Sequence, residues 1–297
     1  RIHAIIEPKM TMFFRNIYTP PRMKVYVWHS YLCVYEGSYM KKKIGLVLGS
    51  GSAKGLAHIG VIQVLLENEI PIDLIAGSSI GAVIGSIHAV GGDMYRLEKY
   101  IRSIDKTDYI DMILPRRGGI LSGKKLEDLV RLFTHNKTFE QTNIPFTCVA
   151  TDIETGELLE FNKGPLHEAV RASMAIPGIF LPVRIGGRLC VDGGVLERVP
   201  CMSAKRMGAD KIIGVDVGNR GEYQKVEKNS SFSIWQNCVS IMQWEITKLR
   251  QQVSDITICP KLTHIVGISN SAAEVCIAEG RRAAEEALPK IRALLKD

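Results

Sequence analysis

Hydrophobic and polar positions follow two periods along most of this chain, beginning at Ile44. The run IGLVLG predicts a strand, GLAHIGVIQVLLENE an amphipathic helix and DLIAG a second strand, and a further helix is predicted from Ile80 toward Val90. Strand patterns return at FTCVATDI, RLCVDGG, KIIGVDVG and DITICP, and helical patterns cover residues 233–253 and 272–295. This alternation is typical of an α/β fold in which helices cover a mostly parallel sheet.

The same pattern separates a main domain from two other segments. Residues 1–39 show neither period, and we hypothesise that they are an extension that the native protein lacks, with the main domain over residues 40–297. Intact mass of protein purified from its source tests this, because a start well upstream of Met40 contradicts it. Residues 93–140 are polar and helix-like, interrupted by PRRGG, and are predicted to form a helical cap inserted over one end of the sheet.

The distribution of charge argues against a nucleic-acid partner. Of the net charge of +7, residues 1–43 carry +6, so residues 44–297 carry only +1 and offer no extended positive field to a phosphate backbone. The seven cysteines include no CxxC pair, which predicts neither a disulfide framework nor a zinc site and favours a reducing cytoplasm. No apolar run of the sequence approaches the roughly 20 residues that span a bilayer.

The sharpest local signal is GSSIG at residues 77–81, a G-x-S-x-G pattern where a predicted strand meets a predicted helix. A nucleophile elbow needs small residues on both sides of its serine, because the turn is strained and the strand and helix approach closely. Gly77 and Gly81 provide that room, and the helix directs its N-terminal amides at a developing oxyanion. The pattern favours Ser79 over Ser78 as the nucleophile. The alternative is a tight turn whose glycines serve packing alone.

A second signal is the small-residue loop GSGSAKG at residues 49–55. A phosphate-binding P-loop is disfavoured, because Lys54 is preceded by Ala53 and followed by Gly55. A dinucleotide fingerprint is disfavoured as well, since its third glycine arrives one residue late. The remaining interpretation is an oxyanion hole, in which backbone amides of the loop hold the carbonyl oxygen after nucleophilic attack.

The candidate bases are two aspartates and a few histidines. Asp192 ends the predicted strand RLCV and would accept a serine proton directly if it were buried within hydrogen-bond reach, although the pattern alone favours a simple turn. Asp152 precedes an I-E-T-G turn and is expected to order it. His58 is expected to be structural, and a Ser-Asp-His triad in that chain order would require His264.

Four segments occur in a fixed order: LVLGSGSAKGLAHIGVIQVL, AGSSIGA, AVRASMAIPGIFLPV and VDGGVLERVP. Together they resemble the patatin-like phospholipase family, in particular its small bacterial members, from about Lys43 to the end of the chain. The resemblance implies a three-layer α/β/α fold, a catalytic dyad of Ser79 and Asp192 without histidine, and an oxyanion hole from the amides of Gly51 and Ser52. The glycines that support these motifs are Gly49, Gly55, Gly77, Gly81, Gly193 and Gly194.

The resemblance also implies an activity. A member of this family is expected to be a serine hydrolase that cleaves lipid acyl esters, such as phospholipids, lysophospholipids or acylglycerols, through an acyl-enzyme and without a metal or cofactor. We expect an acyl chain to approach near residues 112–121, where Arg116 and Arg117 would meet anionic headgroups, and we expect peripheral contact with the inner face of a membrane.

One departure from the family pattern concerns the glycine-rich loop, in which Ser50 and Ser52 occupy positions that are commonly glycine. Serine disfavours positive φ, and the loss of one oxyanion donor costs about 3 kcal/mol in the reaction barrier. The alternative function is therefore a catalytically weak module that keeps the fold and serves regulation or lipid binding.

Overall fold

The computed structural model describes residues 24–28, 31–35, 42–104, 111, 119–218, 221, 231–250, 253–262 and 270–296. The chain forms two compact units, residues 1–41 and 42–297. In the first unit, β1 (Lys24–Trp28) pairs antiparallel with β2 (Tyr31–Tyr35). The expectation that residues 1–39 lack strand character was therefore wrong. Both strands are rich in β-branched and aromatic residues, which favour a pleated strand, and only two residues separate them.

The second unit is built on an eight-stranded sheet. Its strands are β3 (Ile44–Leu48), β4 (Leu74–Ser78), β5 (Phe146–Asp152), β6 (Leu158–Phe161), β7 (Val183–Ile185), β8 (Arg188–Asp192), β9 (Lys211–Val215) and β10 (Ile256–Ile258). They lie in the order β10-β9-β3-β4-β5-β8-β7, and β6 pairs with β5 in addition. The strands from β10 to β5 are parallel, whereas β6 and β8 run antiparallel to β5 and β7 runs antiparallel to β8.

Strand β8 meets the end of β4 along one side of β5. Ser78, the last residue of β4, lies opposite Val149 of β5, and Asp192, the last residue of β8, lies opposite Ala150. Val149 and Ala150 also pair with β6, through the opposite edge of β5. Strands β4 and β8 therefore lie along the same edge of β5. Because β4 and β8 run in opposite directions, their carboxyl ends meet head to head.

Helices cover both faces of this sheet. The described residues form α1 (Ala57–Glu67), α2 (Ile80–Ala89), α3 (Met94–Ser103), α4 (Lys124–Phe133), α5 (Leu166–Ser173), α6 (Cys201–Arg206), α7 (Ser231–Arg250) and α8 (Asn270–Leu294). Leu46 and Leu48 of β3 pack in a large core with α1, α2 and α8, whereas Val47 packs on the other face with α6. Alternate side chains of a strand point to opposite faces, so the predicted three-layer α/β/α fold is confirmed.

Helix α1 is more enclosed than its sequence pattern suggests. Residues 57–65 are all buried, Gln63 among them, because α8 covers the side that an amphipathic helix would expose to water. The two helices approach closely, since a Cβ at Gly280 would lie 2.0 Å from the carbonyl oxygen of Ala57. The expectation of an amphipathic α1 was wrong because its covering helix comes from the far end of the chain.

Most strands and helices predicted from the pattern are present, with shifts of a few residues at their ends. Analysis of the sequence missed the antiparallel strands β6 and β7, which are too short to establish a period. Within residues 93–140, the structure describes α3, α4 and the start of a short 3-10 helix, Phe139–Gln141, while residues 105–110 and 112–118 lie outside the described part. The cap over the whole of this segment stays a prediction. No helix of the described residues combines the length and apolar character needed to cross a membrane.

Candidate active site

Ser79 occupies the turn between β4 and α2. Its backbone has φ 55° and ψ −124°, a conformation that costs a residue other than glycine of order 1–3 kcal/mol. The flanking glycines permit it. A Cβ at Gly81 would lie 2.1 Å from the carbonyl oxygen of Leu48, and one at Gly77 would lie 2.7 Å from the carbonyl oxygen of Gly81. A strained serine between two closely packed glycines is the geometry expected of a nucleophile elbow.

The backbone of Ser79 has a partner that the sequence did not reveal. The Ser79 amide donates a hydrogen bond of 2.9 Å to the hydroxyl of Ser173, which is fully buried at the end of α5. This bond ties the elbow to α5. Ser173 belongs to the segment AVRASMAIPG, but a single serine in a helical pattern carries no local signal, and only the packing of α5 brings it to Ser79.

Two side chains hold the glycine-rich loop that follows β3. The Gly49 carbonyl accepts a hydrogen bond from His58 Nε2 at 2.8 Å, and the Ser50 carbonyl accepts one from Arg198 Nε at 3.3 Å. The Ser50 amide in turn donates to the backbone carbonyl of Arg198 at 2.8 Å. The loop is therefore fixed through its carbonyl groups, and neither contact was evident from the sequence.

The two amides expected to form an oxyanion hole belong to Gly51 and Ser52. None of the hydrogen bonds described in the structure engages them, and Ser52 lines the same cavity as Ser79. Ser52 has φ 51°, whereas Ser50 is not among the described residues with positive φ. Of the two serines that depart from the family pattern, Ser52 is therefore the strained one.

Asp192 is buried at the meeting point of β8 and β4, with 3% of its surface exposed. Its Oδ1 accepts a hydrogen bond from the Gly194 amide at 2.7 Å, while the buried Oδ2 has no hydrogen-bond partner among the described residues. Burial raises the pKa of Asp192 to about 6, and the Ser79 hydroxyl, the Gly194 amide, the charge of Arg198 and the Ser50 hydroxyl oppose that rise. The carboxylate is therefore poorly solvated, ionised at neutral pH and within reach of the serine hydroxyl.

The remaining motif glycines also lie at close backbone approaches. A Cβ would come within 2.8 Å or less of a neighbouring atom at each of Gly49, Gly55, Gly193 and Gly194. At Gly194 that neighbour is the Ser50 hydroxyl, so the loop and the turn after Asp192 are in contact. The structure thus brings the elbow, the loop and the aspartate into one site.

An apolar cavity of about 280 Å³ reaches Ser79 and Ser52. Of its lining residues that the structure describes, Ser52, Ser79 and Tyr100 carry the polar side chains. The apolar wall includes Val83 and Ile87 of α2, Leu97 of α3, Phe133 of α4, and Ile179 and Phe180 of the turn before β7. These residues were not predicted to line a cavity, because a helical period does not distinguish a core from a cavity wall.

Of the residues expected to guide an acyl chain, Leu121 lines this cavity. Met112, Arg116 and Arg117 lie outside the described residues.

The other candidate bases that the structure describes, His58 and Asp152, do not line this cavity. Burial lowers the pKa of His58 to about 4, so the imidazole is neutral and serves the loop carbonyl. Asp152 contacts Arg188 Nε at 3.1 Å and accepts a hydrogen bond from the amide of Glu154, which orders the turn after β5 as expected. No histidine within the described ranges lines the cavity, and His264 falls outside them. In the same ranges, no three His, Cys, Asp or Glu side chains form a group that could hold a metal ion.

Comparison with known proteins identifies the family of this chain. Residues 46–205 match the sequence model of the family described as patatin-like phospholipase, and this match covers more than half of the chain. The chain belongs to the patatin-like phospholipase family. The matched region of this patatin-like protein contains the elbow, the glycine-rich loop and Asp192.

Several curated proteins are similar over part of their length. An uncharacterized NTE family protein of Mycobacterium tuberculosis is 42% identical over 180 residues, 59% of this chain and 49% of that protein. Patatin-like phospholipase domain-containing protein 6 of Homo sapiens is 33% identical over 199 residues, 65% of this chain and 14% of that protein. Lysophospholipase NTE1 of Debaryomyces hansenii is 32% identical over 185 residues, 60% of this chain and 12% of that protein. The match therefore spans at most about half the length of these relatives.

Among solved structures, VipD from Legionella pneumophila superposes with a TM-score of 0.50 at 15% sequence identity, over 91% of this patatin-like chain and 70% of that chain. At this level of identity the similarity concerns the fold.

The raised pKa of Asp192 predicts how its replacement alters stability. The carboxyl group of Asp192 binds a proton more tightly in the folded state than in the unfolded state, where its pKa is near the ordinary 3.8. The ionised carboxylate therefore destabilises the fold above pH 6. This destabilisation disappears as the pH falls toward 4. Asp192→Asn should therefore raise the free energy of unfolding at pH 8 by about 1–3 kcal/mol and show a smaller gain near pH 4. Urea unfolding across this pH range, with the exposed Asp128→Asn as control, measures the effect. A gain that does not vary with pH would contradict it.

The positive φ of Ser52 predicts that glycine is better tolerated there. Ser52→Gly removes the Cβ contact that disfavours φ 51°, which stabilises the folded state. The larger entropy of glycine in the unfolded chain offsets part of this gain, so the free energy of unfolding should rise by up to about 1 kcal/mol. Ser50→Gly is the matched control, since that position needs no positive φ, and it should destabilise. Thermal unfolding of both variants decides, and a loss of stability in Ser52→Gly would show that its conformation is not strained.

Proposed function

We propose that this protein is a serine hydrolase that cleaves lipid acyl esters through a dyad of Ser79 and Asp192. The observation that carries the proposal is a strained serine, placed between an apolar cavity and a buried carboxylate with an unpartnered oxygen. A perturbed carboxyl pKa inside a cleft is typical of a catalytic base. Membership of the patatin-like phospholipase family supports the same chemistry.

The reaction proceeds in two displacements. Asp192 accepts the hydroxyl proton as Ser79 Oγ attacks the ester carbonyl carbon, and the amides of Gly51 and Ser52 donate hydrogen bonds to the oxyanion. Protonated Asp192 returns the proton to the leaving alcohol oxygen as its C–O bond breaks, which leaves an acyl ester on Ser79. Water then attacks this ester with Asp192 again as the base, and the fatty acid departs as the proton returns to Ser79.

The substrate class follows from the cavity and from the relatives. A hydrocarbon chain fits an apolar cavity because its burial gains about 0.8 kcal/mol per CH₂ group, so long acyl esters should bind more tightly than short ones. The relative from Debaryomyces hansenii is named a lysophospholipase, which makes a lysophospholipid the first natural substrate to examine among phospholipids, lysophospholipids and acylglycerols. No metal or cofactor takes part in the steps above.

We extend the proposal to a lipid surface as the source of the substrate, with the protein in the cytoplasm at the inner face of a membrane. Helix α7 exposes a set of large apolar side chains: Ile234, Trp235, Ile241, Met242 and Leu249. Trp235 packs against Gly178, in the turn whose neighbours Ile179 and Phe180 line the cavity. A helix with exposed apolar residues beside a lipid-binding cavity is suited to lie in a membrane interface.

The second candidate function is a regulatory or lipid-binding module with weak catalysis. The strained Ser52 in the glycine-rich loop favours this second function, because a loop that relaxed from the positive φ would direct the Ser52 amide away from the oxyanion. A fluorophosphonate probe separates the two, since it labels a competent Ser79 and leaves an incompetent one unlabelled.

Hydrolysis of p-nitrophenyl esters tests the dyad. Ser79→Ala and Asp192→Asn should each lower kcat by roughly 10³-fold or more, and longer acyl chains should lower KM in the wild type. Activity should rise with pH and be half-maximal near pH 6, because Asp192 must be ionised to accept the proton.

Ser78→Ala is the matched control for the dyad, since it removes a neighbouring buried hydroxyl that has no hydrogen-bond partner among the described residues. It should retain most of the activity. A folded wild type without activity or probe labelling would favour the module, and an active Ser79→Ala would exclude Ser79 as the nucleophile.

Sedimentation with vesicles tests the lipid surface. The double variant Ile241→Asp/Met242→Asp should reduce binding to vesicles of phosphatidylcholine and phosphatidylglycerol by about threefold or more, because it places two charges on the apolar side of α7. Leu66→Asp, which alters an exposed apolar residue of α1, should leave binding unchanged. Equal binding by the double variant and the wild type would exclude α7 as the contact.

A further inference from the structure

Arg198 contacts both polar backbone groups of one loop residue. It follows Asp192 in the same turn region, and its side chain is only 11% exposed. Its backbone carbonyl accepts a hydrogen bond from the Ser50 amide at 2.8 Å, and its Nε donates to the Ser50 carbonyl at 3.3 Å. A single residue therefore fixes the backbone of Ser50 on both sides of its Cα.

This contact determines the direction of the next amide. In a trans peptide the C=O and N–H groups of one unit point in opposite directions, and the described chain contains no cis peptide bond. The N–H of Gly51 belongs to the peptide unit whose carbonyl Arg198 holds. It therefore points away from Arg198, and no hydrogen bond described in the structure turns it aside.

We propose that Arg198 is a positioning residue, which holds the Ser50 carbonyl and thereby keeps the Gly51 amide directed at the oxyanion. This inference rests on the proposed hydrolase function. It adds a residue outside the dyad and the oxyanion loop on which the rate of that reaction depends.

The side chain of Arg198 is itself held in place. Its Nε lies 4.0 Å from Asp216 Oδ1, and its guanidinium packs over Gly218, where a Cβ would lie 2.2 Å from Cζ. A planar guanidinium offers donors in fixed directions, whereas a lysine ammonium is a point charge on a flexible stem. The position therefore requires the geometry of arginine as well as its charge.

The charge of Arg198 also affects the pKa of Asp192. Burial raises the pKa of Asp192, and the positive charge of Arg198 opposes this rise. Among the described residues, two buried acids lie beside Arg198: Glu197 precedes it in the chain, and Asp216 is 4.0 Å from its Nε, while His58 is neutral. Arg198 thus favours the ionised form of Asp192 and links the base to the oxyanion loop.

Two substitutions separate geometry from charge in the full chain. Arg198→Gln removes the guanidinium geometry and the positive charge. It should lower kcat by about tenfold or more, leave KM within about twofold, and move the acidic limb of the pH–rate profile to higher pH. Arg198→Lys keeps the charge, so it should lower kcat while the acidic limb stays near its wild-type position. Labelling by a fluorophosphonate corrects each kcat for the fraction of competent protein.

Arg206→Gln is the matched control, because Arg206 pairs with Glu160 and does not line the cavity, and it should change neither kcat nor the pH profile. A wild-type rate and pH profile in both Arg198 variants would overturn the positioning role, and so would a loss confined to KM. An inactive and unlabelled wild type would instead overturn the hydrolase function and the positioning role with it. The coupling of Arg198 to Asp192 has its own readout, because Arg198→Gln should enlarge the stabilisation by Asp192→Asn and raise the pH at which that stabilisation levels off.

Discussion

The head-to-head meeting of β4 and β8 on one side of β5 is the constraint on which the candidate active site depends. Ser78 and Asp192 lie opposite consecutive residues of β5, so the chain that leaves β4 must turn at once to avoid the chain that leaves β8. That requirement accounts for the positive φ of Ser79 and for the absence of room at Gly193, where a Cβ would lie 2.3 Å from the Val149 carbonyl oxygen. Ser79 and Asp192 are therefore neighbours because of one strand reversal.

The site contains two kinds of unfavourable free energy that the rest of the fold offsets. Ser79 and Ser52 have positive φ, and the buried Asp192 has one oxygen without a hydrogen-bond partner among the described residues. Each costs of order 1–3 kcal/mol. The compensation comes from the two cores that pack on opposite faces of the sheet and from the close contact of α1 with α8. Strain at residues of a candidate site within a well-packed fold is the usual relation between stability and activity.

The polar and apolar parts of the site support one another. The cavity wall excludes water from Ser79, and in such surroundings a hydrogen bond to a developing negative charge is stronger than in water. The loop that would supply those bonds is fixed by its carbonyl groups, through His58 and Arg198. The amides of Gly51 and Ser52 take part in none of the hydrogen bonds that the structure describes. The conformation of this loop, which has two serines in place of glycine, is thus fixed by contacts with other residues and not by the backbone preferences of its own residues.

The sequence by itself determined the α/β alternation, the elbow at Ser79 and the small-residue loop, because each depends on local spacing and on residue size. It also marked Asp192 as the end of a strand, although only the family resemblance favoured it over a turn-forming aspartate. Tertiary structure decided the rest. The pairing of β8 with β5 brings Asp192 to Ser79, α5 brings Ser173 to the elbow, and α8 buries the outer side of α1. Residues far apart in the chain make these contacts, and a period of two or 3.6 residues carries no information about which distant segment will cover a given face.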